Sequence, residues 1–110
     1  MKNNAQKVWQ DNKAQQLADV LADIGDPQSM KNFLRDVMTE KEIIEISSRL
    51  EAAKMLKAGV KYTTIAKETK LSSRTIARIS EWLKNGCKGY DEALILIDQH
   101  HAHTPPASAV

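Results

Sequence analysis

Residues 70–86 read "KLSSRTIARISEWLKNG". Ile76, Ile79 and Leu83 recur at i, i+3 and i+7, a spacing that puts three side chains on one stripe of an α-helix. Arg74, Arg78 and Glu81 fall on the opposite side. Ser72 and Ser73 stand at the entry, where a hydroxyl can accept from the first backbone N–H groups of a helix. Asn85-Gly86 stands at the exit, where a left-handed residue is expected to end it. The stretch predicts a short, capped helix, apolar on one side and cationic on the other.

Immediately upstream, "YTTIAKET" (62–69) predicts a second short helix with Ile65 and Ala66 turned inward. Residues 63–84 together fit a helix-turn-helix: a short helix, a tight turn and a second helix at a steep crossing. Ala66 is small where the two helices approach, and Ile65, Leu71, Ile76 and Ile79 fill the angle between them. The turn of such a motif commonly holds glycine at the site of Lys70, because the backbone there takes a positive φ; lysine can adopt that conformation at a cost. The N-terminal half of the second helix is the part that would enter a major groove.

Charge is concentrated around this motif. Between Lys54 and Lys84 stand Lys54, Lys57, Lys61, Lys67, Lys70, Arg74, Arg78 and Lys84 against Glu68 and Glu81, a local balance of +6. The whole chain carries +2, so the remainder carries −4. Such asymmetry suits a polyanionic partner, although a solvated helical surface would look the same by charge alone.

Moving outward, Thr39-Glu40-Lys41-Glu42 is a Thr-x-x-Glu capping box. It opens the longest helical pattern, residues 40–58, which Gly59 closes. Ile43, Ile44, Ile46, Leu50, Ala52, Ala53, Met55 and Leu56 cover more than one face of it, as in a helix buried among several neighbours. A chain of 110 residues has few helices to supply them, which points to a second subunit. Further upstream, Met30, Phe33, Leu34 and Val37 line one side of a helix opened by Asp26-Pro27. Leu17, Val20, Leu21 and Ile24 line a helix expected over Ala5–Ile24 and broken by Gly25. At the far end, "YDEALILIDQ" is strongly apolar for a terminal helix, while "HHAHTPPASAV" is polar and expected to be loose. Residues 1–99 are expected to form a single helical domain and residues 100–110 a flexible tail.

Composition bounds the chemistry. Apolar residues make up 42% of the chain and aromatics 5%, with few glycines and prolines, which reads as an ordered, helical protein. The single cysteine, Cys87, excludes an internal disulfide and a multi-cysteine zinc site. His100, His101 and His103 lack accompanying Cys, Asp or Glu in the tail, so no metal site is expected. There is no glycine-rich phosphate loop, no nucleophile–base arrangement and no recognisable carboxylate pair. The reading is therefore a non-enzymatic protein without a cofactor. No apolar run approaches the ~20 residues of a membrane span, and the opening residues lack the apolar centre of a signal peptide, so a cytoplasmic protein is expected.

The residues also carry a family resemblance. "LEAAKMLKAGVKYTTIAKETKLSSRTIARISEWLKNGCKGYDEAL" (50–94) resembles the Trp repressor superfamily, above all its small YerC/YecD-like branch. The likeness starts with the capped helix from Thr39, Arg49 within it and Gly59 at its end. It continues through "IAKET", "TIARIS" and "LKNGCKGY", spanning about 38–97. It implies an all-α, six-helix fold and an intertwined homodimer. Two recognition helices would address successive major grooves of a palindromic operator in double-stranded DNA, most simply as a repressor.

Residue by residue, the resemblance puts Ser73, Arg74 and Ala77 at positions facing base edges, and Thr75 at a phosphate contact. Arg74 could fork to guanine O6 and N7. Lys67, Lys70, Arg78 and Lys84 are expected to anchor the DNA backbone. Thr39, Arg49 and Arg78 match positions around bound tryptophan in the repressor, a candidate effector pocket. Ile79 argues against that ligand: where the repressor has glycine, a branched side chain would fill the space an indole needs, and Trp82 adds bulk one turn further on. A small-molecule effector, if there is one, is therefore expected not to be tryptophan. The alternative reading is a helical dimeric module for protein interaction that keeps the helix-turn-helix only as scaffold.

Overall fold

The structure, a computed structural model, describes the backbone of residues 3–103 and the side chains of residues 4–100. Among the described residues all regular structure is helical: α1 (Asn3–Gln6), a 3-10 turn (Lys7–Gln10), α2 (Asn12–Asp23), α3 (Pro27–Val37), α4 (Glu40–Lys57), α5 (Tyr62–Thr69), α6 (Ser73–Asn85) and α7 (Gly89–His103). That makes seven α-helices where the sequence reading expects six. The difference lies at the N-terminus, where the helix expected over Ala5–Ile24 is split at Asp11. Asp11 is extended (φ −76°, ψ 124°), and its carboxylate accepts a hydrogen bond from Ala14 N at 2.9 Å. A short acidic side chain satisfies an orphan N–H better as a cap than it serves a helix interior, so α2 starts afresh there.

The other caps follow the local sequence. Asp26 accepts from Ser29 N at 2.9 Å, and Pro27 occupies the first turn of α3. The capping box closes reciprocally: Glu42 N donates to Thr39 Oγ1 at 3.1 Å, and Thr39 N donates to Glu42 Oε1 at 2.8 Å. Gly59, at φ +81°, ends α4, with Val60 N donating back to Met55 O at 3.0 Å. This is a Schellman closure, for which glycine is the residue without steric cost.

The chain divides into two compact units, Met1–Ser47 and Ser48–Val110, and the boundary falls inside α4. In the first unit no described side chain is buried. The apolar stripes of α2 and α3 exist as the spacing predicts, but Leu21, Ile24, Met30, Phe33 and Leu34 are only half-buried, and Leu17, Val20, Val37, Ile44 and Ile46 are exposed.

The second unit holds the core: Ala52, Ala53 and Met55 from α4, Ile65 from α5, and Ile76 and Ile79 from α6, with Leu56, Val60, Ala66, Leu71, Leu83 and Tyr90 packed against them. Lys57 Nζ lies 3.1 Å from Asp91 Oδ1, linking α4 to α7. At the exit of α6, Gly86 is not left-handed as expected: its φ is −86°. Glycine is needed there for another reason, since a Cβ would lie 2.5 Å from the Trp82 carbonyl oxygen. The left-handed residue is Lys88 (φ 69°), just before α7. Ile95 and Leu96 of α7 are exposed. The helix runs to His103, four residues into the stretch read as a tail, and residues 104–110 lie outside the described residues. No helix among the described residues is long and apolar enough to cross a membrane.

Candidate nucleic-acid interface

The second unit assembles α5, a three-residue turn and α6 into a helix-turn-helix. The turn is built from its hydrogen bonds. Lys70 closes α5 in the left-handed conformation (φ 64°, ψ 13°), with its N–H donating to Ala66 O at 2.9 Å. This is the positive φ that the motif demands at the lysine. Thr69 turns its hydroxyl inward, donating to Ile65 O at 2.7 Å and accepting from Leu71 N at 3.3 Å. Ser72 is the cap of α6, accepting from Thr75 N at 3.1 Å and donating its own proton to Thr75 Oγ1 at 3.0 Å. Of the two serines at this entry, the cap falls to Ser72, and Ser73 becomes the first helical residue.

With the turn fixed, α6 divides cleanly. Ile76 and Ile79 are fully buried against α4 and α5. Ser73, Arg74, Ala77 and Arg78 are exposed on its outer side, and Lys84 is exposed near its end. Thr75 is half-buried at the rim, where its oxygen accepts from Ser72 and its proton can be donated outward. Lys67 and Lys70 stand exposed at the end of α5 and in the turn. Two ion pairs of the basic segment start from α4, Lys54 with Glu51 on the same helix and Lys57 with Asp91 of α7. Arg74, Arg78, Lys67, Lys70 and Lys84 take part in neither of these pairs, and with Glu68 and Glu81 interspersed among them the segment keeps a net positive charge. A surface of this kind attracts phosphate oxygens, and an exposed helix N-terminus within it is of the right width for a major groove.

The four candidate effector residues do not share a unit. Thr39 belongs to the first, where its hydroxyl and N–H serve the capping box. Arg49, Arg78 and Ile79 belong to the second. Ile79 lies in the core with no exposed surface, Arg78 is exposed beside it on α6, and Arg49 is half-buried on α4. Arg49 lies near Tyr90. Burial pushes the Tyr90 phenol above its ordinary pKa, and the Arg49 guanidinium opposes this less strongly. Among the described residues no group of His, Cys, Asp and Glu could hold a metal ion, while the side chains of His101 and His103 lie outside those residues. Sequence reasoning passed over Thr69. The signal available was a hydroxyl residue directly before a non-glycine left-handed position, where a side chain can replace a lost backbone hydrogen bond.

Comparison with known proteins agrees with this geometry. The family model described as "Trp repressor protein" matches residues 12–97, which contain the stretch that carries the sequence resemblance. The chain is 35% identical over 79 residues to the uncharacterized protein YerC of Bacillus subtilis (strain 168), covering 72% of this chain and 76% of that protein. It is similar to the crystal structure of a TrpR like protein from Eubacterium eligens ATCC 27750, with a TM-score of 0.76, 32% identity, and coverage of 84% of this chain and 95% of that one. A second solved chain, from Staphylococcus aureus, matches with a TM-score of 0.69 and 30% identity over 86% of this chain and 91% of that one.

Proposed function

The chain belongs to the Trp repressor family, and on that premise we propose that it is a cytoplasmic, non-enzymatic transcription regulator that binds a palindromic operator as a homodimer, most simply to repress. One observation carries the reading: α6 buries Ile76 and Ile79 completely while presenting Ser73, Arg74, Ala77 and Arg78 outward at its capped N-terminal half. In this reading Ser73, Arg74 and Ala77 meet base edges, with Arg74 forking to a guanine. Lys67, Lys70, Thr75, Arg78 and Lys84 contact phosphates, which position the helix without reading sequence. The regulator does not respond to tryptophan, because the side chain of Ile79 occupies the core. The cations gathered along α6 and its turn favour this reading over a protein-interaction module built on the same scaffold.

Selection of bound duplexes from a random pool tests the reading. A palindromic site is expected, with affinity falling steeply as salt rises, because each phosphate contact releases counterions. Arg74→Ala should cost about 1–3 kcal/mol on the selected site and relax its preference, whereas Lys67→Ala should weaken all duplexes alike. A pool without enrichment, or an Arg74→Ala variant with affinity and preference intact, would defeat it.

A further inference from the structure

Thr69 is a buried polar side chain, 7% exposed, in a core otherwise made of Ala, Met and Ile. Its hydroxyl spans the left-handed Lys70: the proton goes to Ile65 O at 2.7 Å, and a lone pair receives Leu71 N at 3.3 Å. A hydroxyl is the smallest group that can donate one way and accept the other. We infer that Thr69 is a positioning residue for DNA reading, whose hydroxyl fixes the turn and thereby the angle at which α6 presents Arg74. This rests on the DNA-binding reading above.

The physical argument is one of missing alternatives. The left-handed Lys70 takes the chain out of the α5 ladder, so Leu71 N has no helical acceptor. It is partly buried, and an unsatisfied N–H there would be costly. Thr69 supplies the acceptor from inside the core, where Ile65, Leu71 and Ile76 pack around the turn. Without it the turn must move to give Leu71 N a water molecule, and α6 moves with the turn. Contacts to phosphates tolerate such a tilt because lysines are long and point charges lack direction. A bidentate arginine–guanine pair does not. The expected signature is a loss of discrimination with general affinity kept.

The test compares Thr69→Val, which keeps the shape and removes both hydrogen bonds, with Thr69→Ser, which keeps both and removes only a methyl. Full-length proteins are titrated with the selected duplex and with a random duplex at one salt concentration. Thr69→Val should lower the ratio of the two affinities by about tenfold with the random-duplex affinity unchanged, and Thr69→Ser should restore the ratio. Amide exchange at Leu71 should be slow in the wild type and in Thr69→Ser. It should speed up in Thr69→Val; if that variant does not fold, the wild type and Thr69→Ser carry the measurement. An unchanged ratio in Thr69→Val, an equal loss in Thr69→Ser, or solvent-rate exchange at Leu71 in the wild type overturns the inference. A wild-type chain that discriminates between no duplexes overturns the DNA reading itself and this role with it.

Discussion

At the scale of the residue, Lys70 is where stability and function pull apart. A side chain in the left-handed region costs about 1 kcal/mol relative to glycine, and the turn requires that region (φ 64°). On the DNA-binding reading, lysine there serves as a phosphate anchor at the entry of α6. Lys70→Gly should therefore stabilise the fold by about 1 kcal/mol, read as a higher urea midpoint. It should also weaken binding to every duplex alike and reduce the salt slope by about one. Added stability with unchanged affinity would show that the ammonium touches no phosphate. The strain at Lys70 is legible in the sequence because the motif dictates the backbone at that place. Its neighbours are less so. Thr69 bonds back to Ile65 O as many mid-helix threonines do, and its second partner, Leu71 N, exists only once Lys70 has turned. Gly86 looks like a left-handed terminator beside Asn85, yet what demands glycine is the Trp82 carbonyl 2.5 Å from any Cβ, a contact that spacing does not encode.

At the scale of the element, α6 shows what periodicity can decide. Its apolar stripe puts Ile79 in the core without exposed surface, and a helix cannot both bury that side chain and open a slot for an indole in the same place. Calorimetry with millimolar tryptophan should show no saturable heat, and operator affinity should not change. Saturable binding by the unmodified protein would require Ile79 to leave the core. Helix starts were readable for a similar reason. The caps at Asp26, Thr39 and Ser72 each act within three residues, so sequence and structure describe the same hydrogen bond. Asp11 escaped because no apolar stripe begins beside it; the α2 pattern starts only at Leu17, too late to mark the break.

At the scale of the whole molecule, the apolar surplus read in the 40–58 helix and the last helix persists. Ile44 is 60% exposed, Ile46 56%, Ile95 55% and Leu96 62%. Burying a Leu or Ile side chain is worth roughly 1.5–3 kcal/mol, so water is not the medium this surface is built for. On the dimeric reading a second copy covers it, and the melting temperature should climb as protein concentration rises. A fully helical monomer sedimenting as such at micromolar concentration would refute the dimer. The sequence could show that the surface was too apolar, but not what covers it, since periodicity identifies a face and never its occupant. The first unit, with none of its described side chains buried, carries a further consequence for the lifetime of the protein. Proteases cut backbone that opens locally, and helices without a core open most readily. On the dimeric reading, a newly made chain that has not met its copy is therefore most vulnerable along residues 12–47. Degradation would then clear unpaired chains first, and the amount of working regulator would rise more steeply than the rate of its synthesis.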